Sequence, residues 1–109
     1  MTKVEQVIQL ARKYIKQGWC KGFFAKDKYG KDCSITSARG CSWCLNGAVY
    51  RATWALGFNW GIGTKVLKIV EANIKEDMPN EAPITHTIYN DKVAVTATDI
   101  LNVLELRGT

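Results

Sequence analysis

Residues 38–57, ARGCSWCLNGAVYRATWALG, decide the fold. Cys41, Cys44, Leu45, Ala48, Val49, Ala52, Ala55 and Leu56 recur at i, i+3, i+4 and i+7. That spacing predicts one apolar stripe on a helix about four turns long. Gly57 stands where a left-handed residue ends such a helix. Small residues fill the stripe, so a second element can pack close to this backbone.

Toward the N-terminus, Thr2 to Gln17 reads as a helix. Thr2 and Glu5 form a capping box. Val4, Val7, Ile8, Ala11 and Ile15 make its buried face, Lys3, Arg12, Lys13 and Lys16 stay in water, and Gly18 ends it. From Trp19 to Ile35 the period changes. Gly22 to Lys26 and Lys31 to Ile35 read as two strands joined by the turn Asp27-Lys28-Tyr29-Gly30, with Gly30 free to take positive φ. An isolated hairpin is marginal in water, so this one must lie on the helices, with Trp19, Phe23 and Phe24 as its anchors.

Toward the C-terminus, Gly57 to Gly63 is a tight loop that tucks Phe58 or Trp60 onto the core. Thr64 caps a helix that runs to Met78, with Val66, Leu67, Val70 and Ile74 inward, and Pro79 stops it. Residues 80–95 have two readings. Pro83 suits the start of a short helix, whereas Ile84 to Tyr89 alternates like a strand; the helix, followed by a turn at Asn90-Asp91, is favoured. Thr96 with Asp99 caps a last helix, with Ala97, Ile100, Leu101 and Leu104 buried, ending near Gly108. The expected fold is a single α+β domain over residues 1–109, mostly α, with about four helices around a small β-hairpin.

A hydrophobic fraction of 47% in 109 residues permits a real core without metal or disulfide support. The net charge is +5, and Arg12–Lys31 carries seven basic residues against the single acid Asp27. Such a surface attracts acidic partners. No apolar run has signal-peptide or membrane-span length, so a cytoplasmic location without membrane contact is expected, and the four cysteines are expected as thiols.

Gly18-Trp19-Cys20-Lys21-Gly22, Ala25-Lys26-Asp27 with Gly30, Trp43-Cys44-Leu45-Asn46-Gly47-Ala48, and Tyr89-Asn90-Asp91 before Thr96 occur in that order. In this the chain resembles a family of small domains of unknown function from bacteria and bacteriophages. Its members carry G-W-x-x-G, A-R-D-x-x-G, W-C-x-x-G-A and W-N-D. Here Lys26 replaces the Arg, and Tyr89 replaces the Trp of the last motif. The resemblance implies a shared fold and a phage or mobile-element setting, implies no activity, and directs attention to Asp27, Asn90 and Asp91.

Five constellations bear on chemistry. Cys20, Cys33, Cys41 and Cys44, spaced C-x12-C-x7-C-x2-C, resemble a structural zinc set, but Cys41 and Cys44 also fit the apolar stripe, so no metal is expected. A thiol nucleophile, Cys44 or Cys41, would need His86, the one histidine, with Asp91 behind it. Gly57, Gly61, Gly63, Thr64 and Lys65 sit at a helix start but lack the full phosphate-loop pattern. Lys16, Lys21, Lys26, Lys28, Lys31 and Arg39 interleave with Trp19, Phe23, Phe24 and Tyr29, a composition able to grip a nucleic acid. Asn90-Asp91 reads as a turn that caps nearby backbone, or as ligand acceptors acting with Asp27.

The favoured expectation is a non-catalytic, phage-related binding protein that contacts a host or viral macromolecule, a counter-defence inhibitor for example. Its binding residues would be Lys21, Lys26, Asp27, Lys28, Lys31, Asn90 and Asp91, with no cofactor, a protein partner, and a monomeric or homodimeric state. The alternatives are a nucleic-acid-binding accessory protein, and a small enzyme or ligand-binding domain using His86, Asn90 and Asp91.

Overall fold

The computed structural model describes residues 1–108. The order is α1 (Lys3–Gln17), β1 (Ala25–Lys26), β2 (Ser42–Trp43), α2 (Leu45–Ala55), α3 (Trp60–Asp77), α4 (His86–Ile88), a π-helical turn (Tyr89–Val93) and α5 (Ala97–Val103). The class is α+β and mostly α, as the periodicities predict.

The core forms where helical stripes meet. Helix α1 starts at the Thr2–Glu5 capping box and buries Val7, Ile8, Ala11 and Ile15. Helix α2 packs its Ala48, Val49 and Ala52 face against α1 and α3. Helix α3 contributes Val66, Leu67, Val70 and Ile74. Ile100, Val103 and Leu104 close the cluster. Arg12, expected in water, instead donates to the carbonyls of Leu101 (2.6 Å) and Leu104 (2.9 Å) at the end of α5. Those carbonyls lack helical partners, and the two N–H groups of Arg12 Nη1 satisfy both at once. Asn73 does the same for Val103 and Glu105.

The central helix is shorter than its stripe. It begins at Leu45, with Cys44 as the N-cap and its sulfur accepting from the Gly47 N–H at 3.3 Å. Cys41 is exposed and lies before the helix. Its i, i+3 spacing to Cys44 is coincidental, because Ser42–Trp43 is needed as a strand. That strand is the true partner of β1, antiparallel, with Ala25 opposite Trp43 and Lys26 opposite Ser42. The predicted return strand at Lys31–Ile35 reduces to a single bridge between Lys26 and Asp32. The Asp27–Gly30 turn does form: Asp27 Oδ1 accepts from the N–H groups of Tyr29 (2.9 Å) and Lys31 (3.0 Å), and Gly30 has φ 77°. Of the three predicted anchors only Trp19 turns inward; Phe23 and Phe24 face solvent.

Helix α3 starts four residues before the expected Thr64, at Trp60, because Asn59 Oδ1 caps the Gly61 N–H at 2.7 Å. Phe58 packs on the core and Trp60 is exposed. Residues 84–89 are not a strand: α4 leads directly into the π-helical turn that holds Asn90 and Asp91. Asp99 caps α5 by accepting from the Val95 and Thr96 N–H groups. The helix ends at Leu104, short of Gly108, where Arg12 takes over its carbonyls. No helix among the described residues is long and apolar enough to cross a membrane.

Candidate functional site

Asn90 is the hub of the site. It is 1% exposed, and its amide oxygen accepts from Trp19 Nε1–H (2.8 Å) and from the Leu45 N–H at the start of α2 (3.0 Å). Its amide nitrogen donates to the Cys20 carbonyl (3.1 Å) and to Asp91 Oδ1 (2.9 Å). The same Asp91 oxygen accepts from the Gly22 N–H at 3.0 Å. One Asn-Asp pair therefore ties the segment after α1, the start of α2 and its own turn together. The π-helical geometry inserts an extra residue per turn, which aims side chains that a regular helix would turn elsewhere.

Close packing completes the junction. Gly18 accepts from Trp43, and Cys20 donates to Trp43, so Trp19 and Trp43 form a parallel bridge. A Cβ on Gly47 would collide with the backbone carbonyl of Phe24. Gly18, Trp19, Ala25, Trp43, Gly47 and Asn90, drawn from all four quoted motifs, thus meet in one junction, whereas Asp27 stays in its own turn.

Beside this junction lies a cleft of about 340 Å³, lined by Phe23, Phe24, Asp32, Cys44, Asn46 and Asp91 among others. Its size is in the small-molecule range. A shallower depression continues from Phe24, Asp32 and Asn46 toward Tyr50 and Trp60.

The basic residues lie on the rim. Lys21, Lys28 and Lys31 are exposed and Lys26 is half-buried. Three of their ammonium groups stand over aromatic rings: Lys21 over Trp19 (5.4 Å), Lys26 over Phe23 (4.9 Å) and Lys28 over Tyr29 (5.1 Å). Asp27 faces its own turn, and the Lys31 N–H, then the Tyr29 N–H, hold its carboxyl below the ordinary range.

His86 joins neither Cys44 nor Asp91. Its Nδ1 and its backbone N–H both meet Glu71 Oε2, at 2.9 and 3.0 Å, and its Nε2 is hydrogen-bonded to the Asn46 side-chain amide at 3.0 Å. Burial alone would raise the Glu71 carboxyl, but the hydrogen bonds and charge of His86 outweigh it and lower it. Burial pushes the Cys44 thiol up to about 11, the reverse of what a nucleophile needs. Cys20 is also raised, chiefly by burial. Among the described residues no three His, Cys, Asp or Glu side chains converge as a metal site requires, so the four cysteines do not assemble as the zinc alternative needs. At the start of α3 the phosphate-loop alternative fares similarly. Gly61 is capped by Asn59, Gly63 packs against Tyr50 and Thr53, and the Thr64 hydroxyl bonds Tyr50.

Sequence reasoning missed the cleft, the Glu71 partner of His86 and the hub role of Asn90. Asn90-Asp91 carried a signal, a polar pair flanked by Tyr89 and Lys92, but nothing local shows that its partners lie at Trp19 and Leu45. No curated protein and no solved structure matches the chain. One protein family matches residues 1–106, and the chain belongs to it: a family of unknown function, DUF6197.

Proposed function

We propose that the protein is a non-catalytic binding protein that acts by contact with the acidic surface of another protein, through its Lys21–Lys31 loop. The observation that carries this reading is the combination of exposed rings and stacked lysines. Phe23, Phe24 and Tyr29 are 45%, 57% and 74% exposed, and Lys26 and Lys28 lie over two of them. Rings left in water beside cations form a surface that gains both apolar burial and charge pairing when covered. The loop is fixed at its base by Asn90, so little ordering is lost on binding. His86 is held by Glu71 and Asn46, and the Cys20 and Cys44 thiols are buried, which favours contact over catalysis. The phage and bacterial setting of the resembling domains suits a host or viral partner and the role of a counter-defence inhibitor.

A nucleic-acid partner is the second reading, favoured by the same interleaving of lysines and rings. Fluorescence anisotropy with labelled polyglutamate and labelled oligo(dT), across a salt series, separates the two. The first reading expects polyglutamate to be retained and Lys28→Glu/Lys31→Glu to weaken it with a shallower salt slope. Tighter oligo(dT) binding that depends on Phe23 and Phe24 favours the second. Equal binding by wild type and double mutant to both probes defeats both readings.

A further inference from the structure

Most of the ten acidic residues already have partners. Glu76, Asp77 and Glu105 pair with Arg107, and Glu71 pairs with His86. Glu5, Asp27 and Asp99 accept from backbone N–H groups at two helix starts and a turn. Three remain. Glu81 is on the exposed segment after α3, and Asp32 and Asp91 line the same cleft. Among the described residues the Asp32 carboxylate accepts no hydrogen bond, and Asp91 uses Oδ1 alone. The Asn46 side-chain amide, also on the cleft wall, is hydrogen-bonded to His86.

The rest of the cleft is apolar. Phe23 already has the Lys26 ammonium over its ring, whereas Phe24, 57% exposed, has no cation over it among the described residues. The Asp32 and Asp91 carboxylates repel an anion. A divalent metal needs more convergent ligands than the described residues bring together. An organic cation with its own apolar stem meets every requirement: the head faces the acceptors and the stem covers Phe24.

We propose that this cleft binds an organic cation, a guanidinium or primary ammonium on a short alkyl stem, with its head held by Asp32 and Asp91. This assignment shares Phe23 and Phe24 with the lysine-bearing loop surface, but the charges that hold the ligand have the opposite sign. The cation has two sources, a free amine or a basic side chain of a peptide.

Two probes distinguish them: agmatine, and a capped tripeptide with a central arginine. Titrations are followed by the ¹⁵N–¹H resonance of Gly22, whose N–H is bonded to Asp91. Saturable shifts are expected, weakened at least about tenfold in Asp32→Asn/Asp91→Asn, the equivalent of about 1.4 kcal/mol. Asn at position 91 keeps the oxygen that accepts from Gly22. If that change disturbs the fold, Asp32→Asn alone carries the test, because the Asp32 side chain makes no hydrogen bond. Tighter agmatine binding assigns a free amine, and tighter tripeptide binding assigns a partner's side chain. The proposal is overturned if neither probe shifts Gly22 up to about 10 mM, well beyond a ~1 mM site. An uncharged urea analogue binding as well as agmatine, or Asn variants binding undiminished, overturns it equally.

Discussion

Helices α1, α2 and α3 and the Gly18–Cys44 segment are held by different forces. The helices meet through aliphatic side chains, with Val7, Ala48, Val49, Val66 and Val70 all at 0% exposure. The segment has two strands of two residues each. Ala25 and Trp43 anchor it in the core, and the rest of its position comes from a few polar side chains reaching its backbone. Asn90 and Asp91 hold Cys20 and Gly22, Asp27 holds the turn, and Arg51 donates to the carbonyls of Ile35 (2.6 Å) and Ser37 (2.9 Å). Burial spreads stability over many contacts, each replaceable. A polar hub concentrates it, so that one substitution orphans several groups at once.

The largest effect is therefore expected at the hub. Asn90→Ala leaves the Leu45 N–H, the Trp19 indole N–H and the Cys20 carbonyl without this partner, at about 1–3 kcal/mol for each buried group. A loss of about 3 kcal/mol or more should appear in urea unfolding. A loss below about 1 kcal/mol would mean that the segment does not depend on its hub.

Ala48→Leu comes next. The side chain is fully buried on the α2 face and the larger residue overpacks the helix contact, at about 1–3 kcal/mol. An unchanged melting temperature would place that face in solvent.

Acid provides a smaller contrast. The Val95 N–H, then the Thr96 N–H, lower the Asp99 carboxyl from 3.8, and the Lys31 and Tyr29 N–H groups do the same for Asp27. A lowered carboxyl contributes stability that is complete above its unfolded pKa and disappears as the pH falls through its folded one. Asp99→Ala and Asp27→Ala should each melt below wild type at neutral pH, and the gap should narrow below about pH 4. A gap that is constant with pH would assign the loss to packing and not to the carboxylates.

The smallest effect on stability belongs to Lys28→Glu/Lys31→Glu. Both side chains are exposed, so the melting temperature should barely move while salt-sensitive binding to polyglutamate falls. A large drop in melting temperature would show that these lysines support the turn.

The same contrast governs what the sequence reveals. Helices α1 and α3 are legible because burial imposes a 3.6-residue period on Val7, Ile8, Ala11 and Ile15, and on Val66, Val70 and Ile74. The Thr2–Glu5 and Thr96–Asp99 caps and the Asp27 turn are legible because each is satisfied within a few residues. The β1–β2 pairing is not, since two-residue strands show no alternation. Cys41 shares the spacing of a stripe it does not join, because Ser42–Trp43 pairs with β1 before the helix starts. The lysines of the candidate binding surface are visible as composition. The cleft and the Glu71–His86 pair arise only when distant segments meet.

The reach of Asn90 has a consequence for synthesis. Its partners Trp19, Cys20 and Leu45 precede it by 71, 70 and 45 positions. Contacts this distant in sequence close late. On the ribosome, α1 and α2 have emerged long before the residue that fixes the strand between them, and chains emerge at about 5–20 residues per second. For several seconds the exposed rings and thiols of that segment belong to a nascent chain without its lock. Ribosome-bound chains stalled before residue 90 should be cleaved by a probe protease within residues 19–44, and chains stalled well past α5 should resist. Equal resistance in both would show that the segment settles without its C-terminal partner.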